Sequence, residues 1–561
     1  MSDRVRFVCD GVDVEVDAGN TLLTVLREQL GKTSVKDGCA PQGQCGCCTV
    51  LVGDEARVAC VTPVGRVAGR EVTTPEGLPA RERDEMAAGF VAAGGSQCGF
   101  CTPGIVMRAV GASRKGRALD DRGLAAHLCR CTGWATVREA VTGVRSPDRD
   151  RDLEAASARA SLEGGTQRVG SDVPLGGGGF ADDTAPRAAL VAVPLPPGSD
   201  APSQEAAGMH WVVAEALAAA RESAEKVQGR RTGHEARPPL PLTDAVEGGV
   251  RLATSWVEPA YLEPDASWCE PGGEPETPLA NAGAFGGKES SLAPVAARAL
   301  ADRLGRAVRV VYSREDVVRL GPKRPPIAAR ATFAAGRVEV DGIVAGDVGP
   351  FLTPVDWPYE LEEHGSWEPR RVVGPATSTE LRVVGLAERV CLLEGALDEA
   401  GVDRHALVQD ERVMATMLDV CSPASSGALA GARIVAGDSG IEGVEVRVAA
   451  GDPLDEIVLR SFAIGAAHMA MGWVCSEGLA VDDAGVPLDL TIRSFGVIRA
   501  AETPPVTVEI VDDAGPPLAR SSDAVFAAVA AAMWNALARD EGVRPDVFPA
   551  RATRLARSLR R

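Results

Sequence analysis

Cysteine is the residue type whose spacing in this chain predicts chemistry. Ten of the fourteen cysteines lie within the first 131 of 561 residues. Eight of them form two groups of four, which are Cys39, Cys45, Cys48 and Cys60, and then Cys98, Cys101, Cys129 and Cys131. Thiolates are soft ligands that bind zinc and iron–sulfur clusters. The pattern therefore predicts two metal sites near the start of the chain.

The first group favours a 2Fe-2S cluster. The loop DGCAPQGQCGCC supplies three of its cysteines, and Cys60 follows Cys48 after eleven residues. Five residues separate Cys39 from Cys45, one more than in the C-x4-C-x2-C spacing of plant-type clusters. Cys39 is therefore the ligand that the spacing supports least. Cys47 is a spare thiol beside two predicted ligands.

The second group pairs C-x2-C in QCGFCTPG with C-x-C in HLCRCTGW. Thr102 and Thr132 are each predicted to cap a helix, which would place the ligand pairs at helix N-termini, where the dipole stabilises thiolate charge. Zinc is an alternative, but structural zinc prefers two C-x2-4-C or Cys/His pairs. Disulfides are a second alternative and are typical of secreted chains. The C-x-C spacing favours a cluster over both.

These two motifs, in this order, resemble the iron–sulfur region of the molybdenum hydroxylases, the family of xanthine dehydrogenases and aldehyde oxidoreductases. The resemblance covers residues 1 to 145 and implies that the eight cysteines bind two 2Fe-2S clusters. Molybdopterin is the further cofactor that it implies, and Gln97 is assigned to cofactor binding.

Residues from 167 onward resemble a shortened molybdopterin-binding half of the same family. The motif NAGAFGGKES at 281–290 carries most of this likeness. By resemblance, the backbone of Gly283, Phe285 and Gly286 approaches the cofactor, and Glu289 reaches the substrate. An acidic residue in the first turn of a helix is also stabilised by the helix dipole, which is the structural alternative for Glu289.

Two further residues complete the predicted catalytic set. Arg382 in LRVVGLAE matches a substrate-orienting arginine, although the following Val383 and Val384 depart from the family pattern. Asp523 stands nearest to the position of the glutamate that acts as a base in relatives. The alternatives are an ion-paired or surface arginine for Arg382, and an ordinary helix N-terminal position for Asp523.

Local patterns predict the elements that position these residues. Alternating apolar residues flank the Asp10-Gly11 turn and predict a hairpin, and a helix starts at Asn20 or Thr21. With two further strands these elements fit the β-grasp, ferredoxin-like domain that the resemblance implies for residues 1–74. A four-helix 2Fe-2S domain is predicted over 75–145, with helical segments at 81–92, 103–110, 120–128 and 132–143.

Residues 146–166 are charged and poor in bulky apolar side chains, which predicts a linker. The molybdopterin-like region follows, with a first part over 167–345 and a second over 346–561, and it is expected to be mixed α/β. The fold class as a whole is α+β. No flavin domain fits between Cys131 and this region, so electrons are expected to pass to a separate flavoprotein or another acceptor protein.

The composition argues against several partners. A net charge of −19 and a pI near 5.0 disfavour nucleic acid and anionic membranes. There is no apolar run of about 18 residues and no signal segment after Met1, so no membrane partner is expected. We expect a cytoplasmic chain, because thiols stay reduced there. The sequence leaves the oligomeric state open.

Two functions are consistent with these observations. In the first, an oxidoreductase of this family hydroxylates a small-molecule substrate, an aldehyde or an N-heteroaromatic ring, at a molybdopterin site and relays electrons through both clusters. In the second, the chain is an electron-transfer and docking subunit whose molybdenum site is degenerate. Both functions require iron, whereas only the first requires molybdenum.

Overall fold

A computed structural model describes residues 4–145, 150–164, 167–227, 229–276 and 283–559. The chain begins with a five-stranded sheet in the order β2-β1-β5-β3-β4. Its strands are β1 (Arg4–Cys9), β2 (Val12–Asp17), β3 (Thr49–Val52), β4 (Glu55–Val58) and β5 (Glu71–Thr73). Helix α1 (Leu22–Thr24) runs into a π-helical turn, Val25–Gln29.

The local predictions for this sheet are confirmed. Cys9 pairs with Val12 across the Asp10-Gly11 turn, so β1 and β2 form the predicted hairpin. The Thr21 hydroxyl accepts a hydrogen bond from the Thr24 backbone N–H at 3.2 Å, as expected of an N-cap.

Four helices follow the sheet, as predicted. They are α2 (Ala80–Ala93), α3 (Thr102–Arg114), α4 (Asp121–Leu124) and α5 (Ala135–Thr142). Both capping predictions were wrong in detail. Helix α3 already includes Thr102, and Cys101 occupies the capping position. Trp134, at φ +70°, precedes α5, so Thr132 lies outside the helix.

The segment predicted as a linker contains a helix, α6 (Leu153–Leu162). The Asp152 carboxylate caps it by accepting hydrogen bonds from two backbone N–H groups, and Ala156 and Ala160 pack against Val458 and Phe462. Most of the described part of 146–166 is therefore ordered against the C-terminal region rather than extended between two domains.

The C-terminal region is mixed α/β, as predicted. Its first helices are α7 (Ala181–Thr184), α8 (Leu217–Ser223), α9 (Ala293–Leu304) and α10 (Arg314–Leu320). Its first strands are β6 (Leu190–Pro194), β7 (Gln204–Ala206), β8 (Met209–Ala214), β9 (Gly249–Thr254), β10 (Ala266–Cys269), β11 (Val308–Val311), β12 (Ile327–Ala334), β13 (Arg337–Val344) and β14 (Glu362–Pro369).

The remaining elements complete the C-terminal region. They are α11 (Gly349–Leu352), α12 (Leu386–Glu399), α13 (Glu411–Thr416), β15 (Val420–Pro423), β16 (Leu429–Gly437), β17 (Gly440–Ala449), α14 (Glu456–Cys475), β18 (Val506–Ile510), α15 (Ser521–Glu541), β19 (Val547–Phe548) and α16 (Arg554–Ser558). Short 3₁₀ turns occur at Ala59–Val61, Val64–Val67, Pro75–Gly77, Val173–Leu175, Arg404–Leu407, Ile492–Ser494 and Ala500–Glu502.

Three sheets organise this region, in the orders β10-β11-β6-β8-β7, β14-β13-β12-β9-β19 and β15-β16-β17-β18. The second of them draws strands from both sides of the predicted boundary at 345/346. The domain limits therefore remain predictions, whereas the α+β fold class is confirmed.

Helices α14 and α15 pack against each other in the largest hydrophobic core. By length and composition alone both could span a membrane, but 89% of the apolar window of each is buried inside the protein. A core helix of a soluble protein has the same properties.

Candidate functional site

The four thiols of the first group converge in the interior. Cys39, Cys45, Cys48 and Cys60 are each at most 3% exposed. Hydrogen bonds from the Cys45 and Cys60 thiols lower the pKa of Cys39, and Cys60 also contacts the Cys48 thiol. The backbone N–H of Gln42 donates to Cys39 Sγ at 3.2 Å, which stabilises negative charge on sulfur. Cys39 thus lies within the first group, although five residues instead of four separate it from Cys45.

The second group forms a separate buried set. Cys98 Sγ lies 3.5 Å from Cys131 Sγ. Hydrogen bonds from the Cys101 and Cys131 thiols lower the pKa of Cys129. The Thr132 hydroxyl lies 3.0 Å from Cys129 Sγ, so this threonine contacts a candidate ligand instead of capping a helix.

Both groups fit a 2Fe-2S cluster. All fourteen cysteines are free, so no disulfide removes a thiol from either group. A two-iron cluster takes two thiolates on each iron rather than four around one position. In the described ranges, no group of three or more His, Cys, Asp or Glu side chains is arranged to hold a single metal ion. Each bound cluster would supply one-electron redox chemistry.

A ninth thiol, Cys47, lies between the two groups. A hydrogen bond with Cys45 lowers the pKa of Cys47, but burial and the charges of Cys39, Cys48 and Cys98 outweigh it, so the pKa is raised. Because Cys98 belongs to the second group, Cys47 interacts with both.

Gln97 connects the second group to α14. Its Nε2 donates to the backbone carbonyl and to the hydroxyl of Ser461, each at 3.1 Å. Its Oε1 is buried and has no hydrogen-bond partner among the residues described. Gln97, which was assigned to cofactor binding, thus joins the second cysteine group to α14. Its Oε1 remains without a hydrogen-bond partner among the described residues.

The glycine-rich loop lies directly against the second group. Gly283 has φ +71°, and a Cβ at this position would lie only 2.6 Å from Cys131 Sγ. Gly286 has φ +92°, and a Cβ there would overlap the carbonyl oxygen of Glu380. Both positions therefore require glycine. Asn281, at the start of the motif, lies outside the described residues.

Arg382 and Asp523 pair with each other. Arg382 Nη2 lies 3.0 Å from Asp523 Oδ1, and the two side chains are 8% and 15% exposed. Burial raises the pKa of the Asp523 carboxyl, and the Arg382 charge opposes this. The Arg382 guanidinium also lies 4.7 Å from the centre of the Phe285 ring. The ion-paired alternative for Arg382 is therefore what the structure shows.

One cavity of about 830 Å³ brings most of the predicted residues together. Phe285, Gly286, Glu289, Arg382 and Asp523 all line it. Glu289 is exposed, and α9 begins four residues later, so the helix-dipole alternative does not account for it. Asp523 lies in the first turn of α15, as its structural alternative requires, and also faces the cavity.

Sequence reasoning missed Glu163, which follows α6 in the predicted linker. Its buried carboxylate accepts hydrogen bonds from the Ser522 backbone N–H at 3.0 Å and from the hydroxyls of Ser521 and Ser522. It also pairs with Arg159 and lines the 830 Å³ cavity. The four-residue spacing of Arg159 and Glu163 was the available signal, because such pairs share one helix face.

A second missed acid, Glu477, pairs with Arg130. The guanidinium of Arg130, which lies between two candidate ligands in the chain, is bidentate to Glu477 with contacts of 2.5 and 2.7 Å. The side chains are 8% and 2% exposed. No sequence motif marked this pair, because its members lie 347 positions apart.

The described residues do not fit a pterin cofactor beside the second group. The space bounded by Arg130, Glu477, Phe285 and Arg382 measures about 50 Å³, whereas small-molecule and cofactor sites typically measure about 300 to 1,000 Å³. The direct contact of Gly283 with Cys131 closes the same path.

Comparisons with known proteins agree with the iron–sulfur part. A family model described as a [2Fe-2S] binding domain matches residues 74–142. The chain is 34% identical over 149 residues to a probable xanthine dehydrogenase subunit of Bacillus subtilis (strain 168), covering 26% of this chain and 86% of the relative. It is 38% identical to "Xanthine dehydrogenase iron-sulfur-binding subunit" of Escherichia coli O157:H7, covering 25% and 94%.

The chain is similar to larger relatives in sequence over a short part and in structure over its whole length. "Aldehyde oxidoreductase" of Megalodesulfovibrio gigas is 42% identical over 135 residues, which are 22% of this chain but only 15% of that protein. The solved structure of aldehyde oxidoreductase from Desulfovibrio gigas superposes with a TM-score of 0.75, covering 100% of both chains at 16% identity. That superposition shows the fold alone. Together with the iron–sulfur subunits matched over most of their length, these findings show that the chain belongs to the xanthine dehydrogenase and aldehyde oxidoreductase family, the molybdenum hydroxylases.

Proposed function

We propose that this chain is an electron-transfer protein of the family, in which two 2Fe-2S clusters carry single electrons and the molybdopterin-like region holds no molybdenum. The proposed ligands are Cys39, Cys45, Cys48 and Cys60 for the first cluster, and Cys98, Cys101, Cys129 and Cys131 for the second.

The observation that carries this proposal is the closed path beside the second group. Gly283 packs on Cys131, and the Arg130–Glu477 ion pair fills the space beyond it, leaving about 50 Å³. A pterin placed there would have to displace a bidentate buried ion pair, and leaving each of those charges buried without its partner costs several kcal/mol.

The acceptor is proposed to be a separate protein, such as a flavoprotein. The relatives that match over most of their length are named as subunits, which supports function alongside other chains. Free thiols throughout the chain support a reducing, cytoplasmic compartment.

A second candidate is hydroxylation of an aldehyde or an N-heteroaromatic ring at a molybdenum site. The 830 Å³ cavity favours it, because Glu289, Arg382 and Asp523 share its wall. In this candidate Asp523 would act as the base, Arg382 would orient the substrate, and Glu289 would contact it. The Arg382–Asp523 ion pair opposes it, since the charge of each side chain is already paired with that of the other.

Metal analysis separates the two candidates. The chain is produced in a host that makes the molybdenum cofactor, and a molybdenum hydroxylase of known metal content is prepared in parallel as a loading control. We expect about four irons per chain, two distinct 2Fe-2S signals in electron paramagnetic resonance after reduction, and molybdenum below about a tenth per chain. Molybdenum near one per chain would replace the electron-transfer proposal with the hydroxylase.

A further inference from the structure

Exposed residues lie next to the first cysteine group at Cys60, and the proposed function assigns this surface no partner. Every residue of 97–107 and 127–134, the two stretches that contain the second group, is buried. In the first group, by contrast, Val61 directly follows the proposed ligand Cys60 and is 56% exposed. The first group is therefore the one whose ligands adjoin solvent-exposed residues, which favours it as the exit for electrons to a separate protein.

Val61 also contacts the cluster loop. A Cβ on Gly43, which lies between Cys39 and Cys45 in the chain, would be 2.8 Å from Val61 Cγ1. Gly43 has φ +70°, so both the backbone and the close approach favour glycine here. Val61 thus packs on the loop that bears three proposed ligands, and it directly follows the fourth. A partner that contacts Val61 would be separated from the first cluster by little more than this side chain.

The chain around Cys60 is basic, although the protein as a whole is acidic. Residues 56–70, the Cys60 segment, contain Arg57, Arg66 and Arg70 and no aspartate or glutamate. The whole chain has 78 acidic residues among 561 and a net charge of −19. All three arginines are exposed. The Cys60 segment is therefore a local positive surface beside a proposed cluster.

The acids that flank the Cys60 segment offset only part of its charge. Asp54 and Glu55 precede the segment and pair with Arg114 and Lys115, respectively. Glu71 follows the segment and is exposed. One acid thus stands against three arginines, so this surface keeps a net positive charge.

Two further arginines extend the positive charge to the cluster loop. Arg493 Nε donates to the backbone carbonyl of Gln44 at 2.8 Å. Burial, followed by the charge of Arg57, lowers the pKa of Arg108. The guanidinium groups of Arg57 and Arg108 therefore lie close enough to interact. Both Arg108 and Arg493 are half-buried, so they add to the field without being the residues that a partner contacts first.

We propose that the Cys60 segment docks a redox protein with an acidic face, which takes electrons one at a time from the first cluster. Complementary charge steers such a partner to this surface and raises its rate of association about 10- to 1,000-fold. Each encounter moves one electron from the reduced cluster to the one-electron acceptor of the partner, and no covalent bond forms or breaks. The inference rests on the proposed electron-transfer function, because it requires that the first cluster assembles and is reduced.

Charge reversal at exposed arginines tests the surface. Arg57→Glu and Arg66→Glu are combined in one variant, and neither side chain is part of a buried core. The control combines Arg371→Glu and Arg557→Glu, which change two exposed arginines of the C-terminal region. The two variants have the same net charge, so a difference between them reports on the position of the charge. Their 2Fe-2S signals in electron paramagnetic resonance should match those of the wild type.

The probes are plastocyanin, an acidic copper protein, and cytochrome c, a basic haem protein. Each accepts one electron. The cluster-loaded chain is reduced with dithionite, freed of excess reductant without oxygen, and mixed with each oxidised probe in stopped flow. At an ionic strength of about 0.02 M, we expect the Arg57→Glu/Arg66→Glu variant to reduce plastocyanin about tenfold more slowly than the wild type, and the control to stay within about twofold. The same variant should reduce cytochrome c at least as fast as the wild type.

Salt provides an independent measurement. Raising the ionic strength to about 0.5 M should slow the reaction of the wild type with plastocyanin about fivefold, because screening removes the attraction. The wild type and the Arg57→Glu/Arg66→Glu variant should then react at rates within about twofold of each other.

Equal rates with plastocyanin for the wild type and the Arg57→Glu/Arg66→Glu variant at low salt would overturn the inference. An equal slowing in the control, or an equal slowing with cytochrome c, would overturn it as well, since the effect would then not depend on this surface or on the charge of the partner. Salt-sensitive self-association that this variant loses would assign the surface to a second copy of the chain instead. A chain that shows no 2Fe-2S signal and takes up no electrons from dithionite would overturn the proposed function.

Discussion

The iron–sulfur region and the C-terminal region have diverged from the same family to very different degrees. Sequence similarity to the relatives described above covers only 22% to 26% of the chain, whereas structural similarity covers the whole chain at 16% identity. A cluster requires particular thiols at particular distances, so few substitutions are compatible with it. A sheet packed on helices requires only apolar patterning and volume, so its sequence can change extensively while the fold persists.

The two regions also use their buried polar groups differently. In the iron–sulfur region the buried thiols contact one another in two sets. In the C-terminal region the groups nearest the expected cofactor are paired with protein partners, as in Arg382 with Asp523 and Arg130 with Glu477. A protein can therefore keep the fold of a family without keeping its functional site.

The largest expected effect concerns the iron–sulfur region. Cys131→Ser should remove the second cluster and reduce iron from about four to about two per chain, because serine is a much poorer ligand for iron than a thiolate. Iron analysis and electron paramagnetic resonance measure the loss. Cys9→Ser, which changes a buried thiol on β1 outside both groups, is the control and should retain all iron. Full iron content in Cys131→Ser would remove this residue from the ligand set.

The next effect tests the Arg130–Glu477 ion pair, which joins the iron–sulfur region to the C-terminal region. Glu477→Ala should lower the free energy of unfolding by about 3 to 5 kcal/mol, because it leaves the Arg130 charge buried without a partner. Urea unfolding gives the value. Glu509→Ala breaks the exposed pair with Arg447 and should cost at most about 1 kcal/mol. Similar losses in both variants would show that the buried pair has no special role.

A smaller effect concerns pH. Burial, partly offset by Lys288, raises the pKa of Glu263 to about 7, above the value of about 4.3 in an unfolded chain. The folded protein therefore binds the additional proton between these values, so stability falls as pH rises through this window.

The Glu263→Gln variant has no carboxyl group at this position and therefore does not release this proton. Relative to the wild type, the variant should gain about 2 to 3 kcal/mol of stability between about pH 5 and about pH 8. The comparison is matched at low pH, because protonated glutamate and glutamine both leave Lys288 without a charged partner. Parallel stability profiles for the two proteins would contradict the raised pKa.

The smallest effect concerns the thiol between the groups. Cys47→Ala should retain both clusters and cost about 1 kcal/mol, as expected for a small buried side chain. Cys39→Ser, in contrast, should remove the first cluster's signal. The reverse pattern, with iron lost in Cys47→Ala and kept in Cys39→Ser, would mean that the ligand set is shifted by one cysteine.

Much of the fold could be predicted because the signals are local. The Asp10-Gly11 hairpin and the Thr21 cap each depend on a few neighbouring residues. Helix α6 was missed because its sequence is charged and poor in large apolar residues, and only its packing against α14 reveals why it is ordered. The cap at Thr132 failed because α5 begins only at Ala135, after Trp134; the Thr132 hydroxyl instead contacts Cys129 Sγ and accepts from the Trp134 backbone N–H.

The sequence by itself determined the eight thiols, their division into two sets and the family, because cluster ligands must occur at narrow spacings that can be read directly along the chain. Only the tertiary structure decided that Gly283 lies against Cys131 and that Arg130 pairs with Glu477. Those contacts join residues up to 347 positions apart. No local pattern encodes them, because they depend on how complete elements pack together.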